Sequence, residues 1–162
     1  IRDRRDAIIK MMNEVIESQV DMFVGDDQET KDWDVAGLSQ SLFEIIPVKL
    51  EIPKSEIEHL SKAEFKQLLK EAAVKLYEAK EAEFPEPEHI RELERIVLLR
   101  VIDRKWMDHL DDMEQLKQGI GLMAYGQRDP AVEYKIQGFE MFNDMIEGIK
   151  VETVKTLSLI HI

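Results

Sequence analysis

The chain has 162 residues, 35% of them charged, with a formal net charge of −12. That length suits one ordinary domain or two small ones, and an apolar share of 44% is enough to build a core. The acidic balance excludes a general nucleic-acid binder, which needs a basic face to displace counterions. The lack of cysteine excludes disulfides and thiolate metal sites and fits a reducing compartment.

No apolar run approaches the ~20 residues that span a bilayer, and no signal-peptide pattern opens the chain, so a soluble protein is expected. Ile1 enters directly into a helical pattern without a cap or initiator methionine, which predicts a fragment of a longer chain. Residues 1–24 read as the first helix, with Ile8, Met12, Val15, Ile16, Gln19, Val20 and Phe23 inward and Gly25 as its stop. A polar linker, 26–34, ends on Asp34, placed to cap a second helix over 35–46. There Leu38, Leu42, Ile45 and Ile46 face inward, and Pro47 ends the helix. The run VKLEI (48–52) alternates like a strand but has no second strand to pair with, and is read as an extended connector.

Ser61 and Glu64 match a capping box, and Leu60 with Phe65 supplies a hydrophobic staple. The helix they open, 62–83, is expected to bury Phe65, Leu68, Leu69, Ala72, Leu76 and Tyr77. Pro85 and Pro87 then break the chain, Pro87 suiting a first-turn position. From about 86 to 159 two apolar stripes follow. Leu99, Ile102, Trp106, Leu110, Met113 and Leu116 recur at steps of three and four, and Val132, Ile136, Phe139, Ile146 and Ile149 keep nearly the same beat. Between them GIGLMAYGQRDP (119–130) is too rich in glycine and proline for an ordinary helix. An antiparallel helical hairpin is predicted, with arms of about 30 residues, roughly 45 Å long. Its seam is assigned to Trp106, His109, Leu110, Met113, Phe139 and Phe142. Asp129 and Pro130 suit the cap and first turn of the returning helix.

The fold class expected is all-α: a long hairpin packed with the N-terminal helix, plus a small helical insert projecting sideways from that stem. The domain boundaries expected are 1–25, 26–85 and 86–162. No phosphate-cradling loop, dinucleotide fingerprint or nucleophile elbow occurs, so no catalytic or cofactor-binding residue is assigned. The one site-like cluster is WMDHLDDMEQ (106–115), where Asp108, His109 and Asp112 could be read as a carboxylate–histidine metal site. It lacks an HExxH spacing and the glycine of a calcium loop, so no metal site is assigned. Glu56 with His59 and Glu86 with His89 have a metal-like spacing but fall at helix starts. At the tip, Leu122 and Tyr125 could cap the hairpin's own core. Alternatively Leu122, Met123, Tyr125, Gln127 and Arg128 could form a presented probe, since loops on rigid scaffolds commonly carry function.

Residues 100–158 closely resemble the C-terminal region of the SecA family of bacterial preprotein translocase motors. The matching runs are D-x-x-W-x-x-H-L (Asp103, Trp106, His109, Leu110), M-x-x-L-x-Q-G-I (Met113 to Ile120) and Y-x-Q-x-D-P (Tyr125 to Pro130). A Phe139, Met141, Phe142 run follows. Upstream, KLYEAKE (75–81) resembles the end of the family's helical wing, and 1–24 the last part of its long scaffold helix. The resemblance implies a two-helix finger (86–162), a helical wing (26–85) and the end of the scaffold helix (1–25).

It further implies that the tip, through Tyr125, meets the translocating polypeptide at the mouth of the SecYEG channel. The finger would also restrain ATP hydrolysis by motor domains that this chain lacks. ATP and magnesium would belong to those domains, and no cofactor to this chain. The partners implied are SecYEG, unfolded preprotein, the motor domains and a homodimer, without nucleic acid. The place implied is the cytoplasm, peripheral at the inner face of the membrane. Gly121 and Met123 stand where the family commonly has His and Arg, and Gly126 where Ala is common, so the tip is expected to rely on Tyr125, Leu122 and Met123 rather than on charge. A free-standing helical adaptor binding a partner through its amphipathic faces is the alternative reading.

Overall fold

The computed structural model describes residues 2–26, 33–48, 54–123 and 129–159. The elements are α1 (Arg2–Phe23), α2 (Val35–Ile45), α3 (Lys54–Ile57), α4 (Lys62–Ala82), α5 (Pro87–Met123) and α6 (Pro130–Leu159). The fold is all-α, with no strand among the described residues. The connector read over 48–52 falls largely outside them; Val48 is described and buried. Helix starts follow local chemistry. The Asp34 side chain accepts a hydrogen bond from the Gly37 N–H (2.9 Å), Ser61 from Glu64 (3.1 Å) and Asp129 from Ala131 (3.0 Å). Each satisfies a donor the first helical turn leaves open.

Two compact units form, one of residues 1–97 with 151–162 and one of 98–150, so α5 and α6 each contribute to both. In the first unit α1 packs on α2 and α4. Charge pairs fix its register against α4. Arg5 meets Glu81 (3.0 Å), Glu17 meets Lys70 (2.5 Å), and Asp21 meets Lys62 and Lys66 (2.9 Å each). The numbers fall along one chain as they rise along the other, so the helices are antiparallel. That register sets Ile8, Met12, Ile16 and Val20 against Tyr77, Ala73, Leu69 and Phe65, all eight buried. Burial of such side chains contributes about 1.5–3 kcal/mol for each large one. From α2, Leu38, Leu42 and Ile45 close the same core, and the Ser41 hydroxyl donates to Gln19 Oε1 (2.6 Å).

α1 has its main partners in α2 and α4, the helices read as the insert. One expectation changes here. In α4 the buried stripe is Phe65, Leu69, Ala73 and Tyr77, strict steps of four, while Leu68 and Leu76 are exposed and Ala72 half-buried. One facing helix needs only a narrow stripe.

The first turns of α5 enter this unit through Ile90, Arg91, Glu94 and Val97, all buried. Glu94 is fully enclosed. It accepts from Arg91 Nη1 (2.8 and 2.9 Å) and from the Tyr77 hydroxyl, while Arg91 also pairs with Glu81. Arg4 Nη1 donates to the Arg91 carbonyl (3.0 Å). Burial, then the Glu94 carboxylate, push the Tyr77 phenol far above its ordinary value. Lys80 closes the end of α6 by donating to the carbonyls of Leu157 (3.1 Å) and Ser158 (2.7 Å), and burial lowers its pKa.

Candidate functional site

The second unit is the hairpin proper. Three contacts give its register. A Cβ at Gly138 would lie 3.1 Å from Met113 Cε, the His109 and Phe142 rings are 5.9 Å apart, and a Cβ at Gly148 would lie 3.7 Å from Lys105 Cε. Numbers again rise on α5 as they fall on α6, so the arms are antiparallel. Gly138 presents no side chain there, which lets Met113 lie close against α6, whereas at Gly148 a Cβ would make only ordinary contact with the Lys105 stem. Val101, His109 and Ile120 are buried, and Met113 and Leu116 half-buried.

The seam expected from six residues therefore divides. His109 (8% exposed) and Met113 sit between the arms, whereas Trp106 (45%), Leu110 (46%), Phe139 (67%) and Phe142 (42%) lie on its margin. The ring of His109 touches both Trp106 (5.5 Å) and Phe142 (5.9 Å). Helical geometry says which margin. Trp106 and Leu110 each follow a seam residue by one position, a rotation of about 100°. Phe139 does the same on α6, following Gly138. In antiparallel helices equal rotations of this kind lead to the same side of the pair. Ile102, Trp106 and Leu110 thus share one side with Val132, Ile136, Phe139 and Phe142, all substantially exposed.

On α5, residues one position before the seam lead to the opposite side, and there they are the carboxylates Asp108 and Asp112. Asp108, His109 and Asp112 form one wall of a cleft of about 340 Å³; Met141, Asp144 and Met145 form the other. Lys105 and Gly148 close one end. Asp108, His109 and Asp112 line this cleft together without converging as a metal shell. Among the described residues no three histidine, aspartate or glutamate side chains do so. His59 and His89 are both exposed; His89 lies in the first turn of α5, as expected, whereas His59 lies in the turn after α3 rather than at a helix start.

The tip also differs from expectation. α5 continues through Gly119, Ile120 and Gly121 to Met123, and a Cβ at either glycine would meet nothing within 4 Å. Buried Ile120 holds that turn in place, so the breaker-rich run is partly helical. Leu122 and Met123 complete α5, while Tyr125, Gln127 and Arg128 lie outside the described residues. Sequence reasoning missed the Tyr77, Arg91 and Glu94 cluster altogether. The Arg91–Glu94 spacing of three, opposite a tyrosine in a buried stripe, was the only signal for it.

The fold defines an all-α helical protein whose second unit is an antiparallel hairpin with one apolar and one acidic side. The chain matches, over residues 1–161, the family described as the SecA wing and scaffold domain. It is 57% identical over 159 residues to the protein translocase subunit SecA of Lachnoclostridium phytofermentans, covering 98% of this chain and 18% of that protein. It is 44% identical over 153 residues to protein translocase subunit SecA 1 of Alkaliphilus metalliredigens (94% and 17%). The SecA subunit of Acetivibrio thermocellus is 41% identical over 160 residues (98% and 18%). The chain belongs to the SecA wing and scaffold family, and it spans under a fifth of the length of these relatives.

Proposed function

We propose that this chain is the non-catalytic part of an ATP-driven protein translocase that engages the SecYEG channel and the moving preprotein. The contact is made by the segment joining α5 to α6, around Tyr125, flanked by Leu122, Met123, Gln127 and Arg128. The family match over nearly the whole chain carries this reading. The hairpin supports it, because its two antiparallel arms end at Met123 and begin again at Pro130, on either side of that segment in the chain. The exposed side bearing Trp106, Leu110 and Phe139 suits packing against the motor domains, where ATP would be bound and whose hydrolysis the hairpin would restrain. No described helix is long and apolar enough to cross a membrane, so association with the inner face would be peripheral and through the parent.

The test is a Tyr125→Cys variant of the full-length parent with a preprotein stalled in the channel and carrying one cysteine. A nucleotide-dependent disulfide between them is expected. Intact transport with no crosslink at position 125 or its neighbours would refute the contact.

A further inference from the structure

The apolar side of the hairpin carries Ile102, Trp106 and Leu110 of α5 with Ile136, Phe139 and Phe142 of α6, each more than a third exposed. Together they leave roughly 650 Å² of apolar surface in water, at the upper end of what a monomer shows in one patch. Covered by an equal surface, that makes about 1,300 Å² in all, within the range of specific, stable interfaces. Two acids on α5 and two lysines on α6 stand at the ends of this side. Asp103 lies three residues before Trp106 and Glu114 four after Leu110, so both share its α5 face. Lys135 lies four residues before Phe139 and Lys150 eleven after it, again one face. Lys150 also bonds Glu147 (3.2 Å). The register of the arms, Met113 with Gly138 and Lys105 with Gly148, puts Glu114 level with Lys135 and Asp103 level with Lys150, to within about one turn.

We propose that this side pairs with the same side of a second copy of the chain, the two hairpins lying parallel about a two-fold axis that runs along them. Two like faces can meet about a two-fold axis in two ways. With the axis along the hairpins, each α5 lies over α6 of the second copy at the same level. Asp103 then meets Lys150, Glu114 meets Lys135, and symmetry makes each pair twice. With the axis across the hairpins, each α5 lies over α5 and each α6 over α6, running in opposite directions. Centred between Trp106 and Leu110, that arrangement sets Asp103 against Glu114 and Lys135 against Lys150, like charge against like. The charges therefore choose the parallel pair, while the apolar side chains supply the attraction. In it Trp106 and Leu110 pack on Phe142 and Phe139 of the second copy, which lie within one turn of the same level. The inference goes beyond the function proposed above and rests on the hairpin unit alone. A second copy and the motor domains would compete for this side.

The chain itself is followed by sedimentation equilibrium at low salt, from about 1 to 500 μM. A dimer is expected, with a Kd on the order of 10 μM for an interface of this size. A chain that stays at 18.9 kDa throughout overturns the proposal and leaves this side to the motor domains. Phe139→Asp, at an exposed position, should weaken the dimer about tenfold or more. Met22→Asp adds the same charge at an exposed position of the first unit and should leave the dimer unaltered. No effect of Phe139→Asp, or an equal effect of Met22→Asp, overturns the assignment of the contact to this side. Glu114→Lys sets a lysine against Lys135 and should weaken the dimer about fivefold, and adding Lys135→Glu should restore it. In the antiparallel arrangement Glu114→Lys would meet Asp103 and tighten the dimer. Tightening, no change, or a double variant no better than the single one therefore overturns the parallel pair. All the substituted residues are exposed, so each variant keeps its helices, which circular dichroism checks.

Discussion

Glu94 has no exposed surface and accepts two hydrogen bonds from Arg91 and one from Tyr77, so its removal is the most informative single change in the first unit. In Glu94→Ala the Tyr77 hydroxyl is left buried without a partner, which costs about 1–3 kcal/mol. Breaking a buried pair by deleting one member costs about 3–5 kcal/mol. Arg91 keeps Glu81, which is itself held by Arg5, so the guanidinium is not orphaned and the lower end of that range applies. A loss of about 3 kcal/mol is expected. Tyr77→Phe removes only one bond to a charged group and leaves Glu94 doubly bonded to Arg91, so about 1.5 kcal/mol is expected. Once Glu94 is alanine, however, the Tyr77 hydroxyl is a liability, and adding Tyr77→Phe should then be neutral or stabilising.

The assay is urea denaturation. The chain has two tryptophans, Trp33 in the first unit and Trp106 in the second. A Trp106→Phe background therefore reports the first unit alone by Trp33 fluorescence, beside Phe65 at 5.5 Å. The cycle of the two single variants and the double variant decides the matter. If Tyr77→Phe costs the same with and without Glu94, the three side chains do not act as one network and the reasoning fails.

Gly119 and Gly121 are helical with open space where a Cβ would go, so Gly119→Ala and Gly121→Ala should each raise stability by about 0.5–1 kcal/mol; a melt followed by Trp106 would show it. Ser61→Ala removes the α4 cap and should cost about 1 kcal/mol in the same urea assay read at Trp33. The bonds from Lys70 and from Lys62 and Lys66 hold the carboxyls of Glu17 and Asp21 below their ordinary values. Their contribution is therefore present above the ordinary carboxylate range and lost as pH falls through the lowered values. Because these groups are half-exposed, the loss should be modest, about 1 kcal/mol or less per pair, and should shrink in high salt. Tyr77 works in the opposite sense. With its phenol raised, the stability it adds is complete below pH about 10 and lost only above it.

What could be read from the sequence was local. Asp34, Ser61 and Asp129 were legible as caps because a capping side chain and its N–H partner are two or three residues apart. The stripes of α1 and α2 were legible because each helix has a single apolar face. α4 was misjudged because Phe65, Leu68, Leu69, Ala72, Ala73, Leu76 and Tyr77 fill two adjacent faces, and period alone cannot choose between steps of three and of four. The hairpin seam was shifted by one residue for a related reason. Apolarity points to Trp106 and Phe139, while the arms meet at His109, Gly138 and Gly148, residue types that carry no hydropathy signal. The cluster of Arg91, Glu94 and Tyr77 depends on a tertiary contact between α4 and α5, which no local pattern encodes.

The seam's composition bears on what the hairpin is for. Two glycines, one histidine and a lysine stem occupy positions that a self-sufficient helix pair would fill with leucine, so the arms bury little against each other. Helices owe most of their stability in proteins to packing of an apolar face rather than to propensity. Here the large side chains, Ile102, Trp106, Leu110, Ile136, Phe139 and Phe142, are instead gathered on one outer side. A sequence that spent them on the seam would make a sturdier isolated hairpin and leave nothing to dock. This one leaves that apolar area exposed, which supports the docking proposed above.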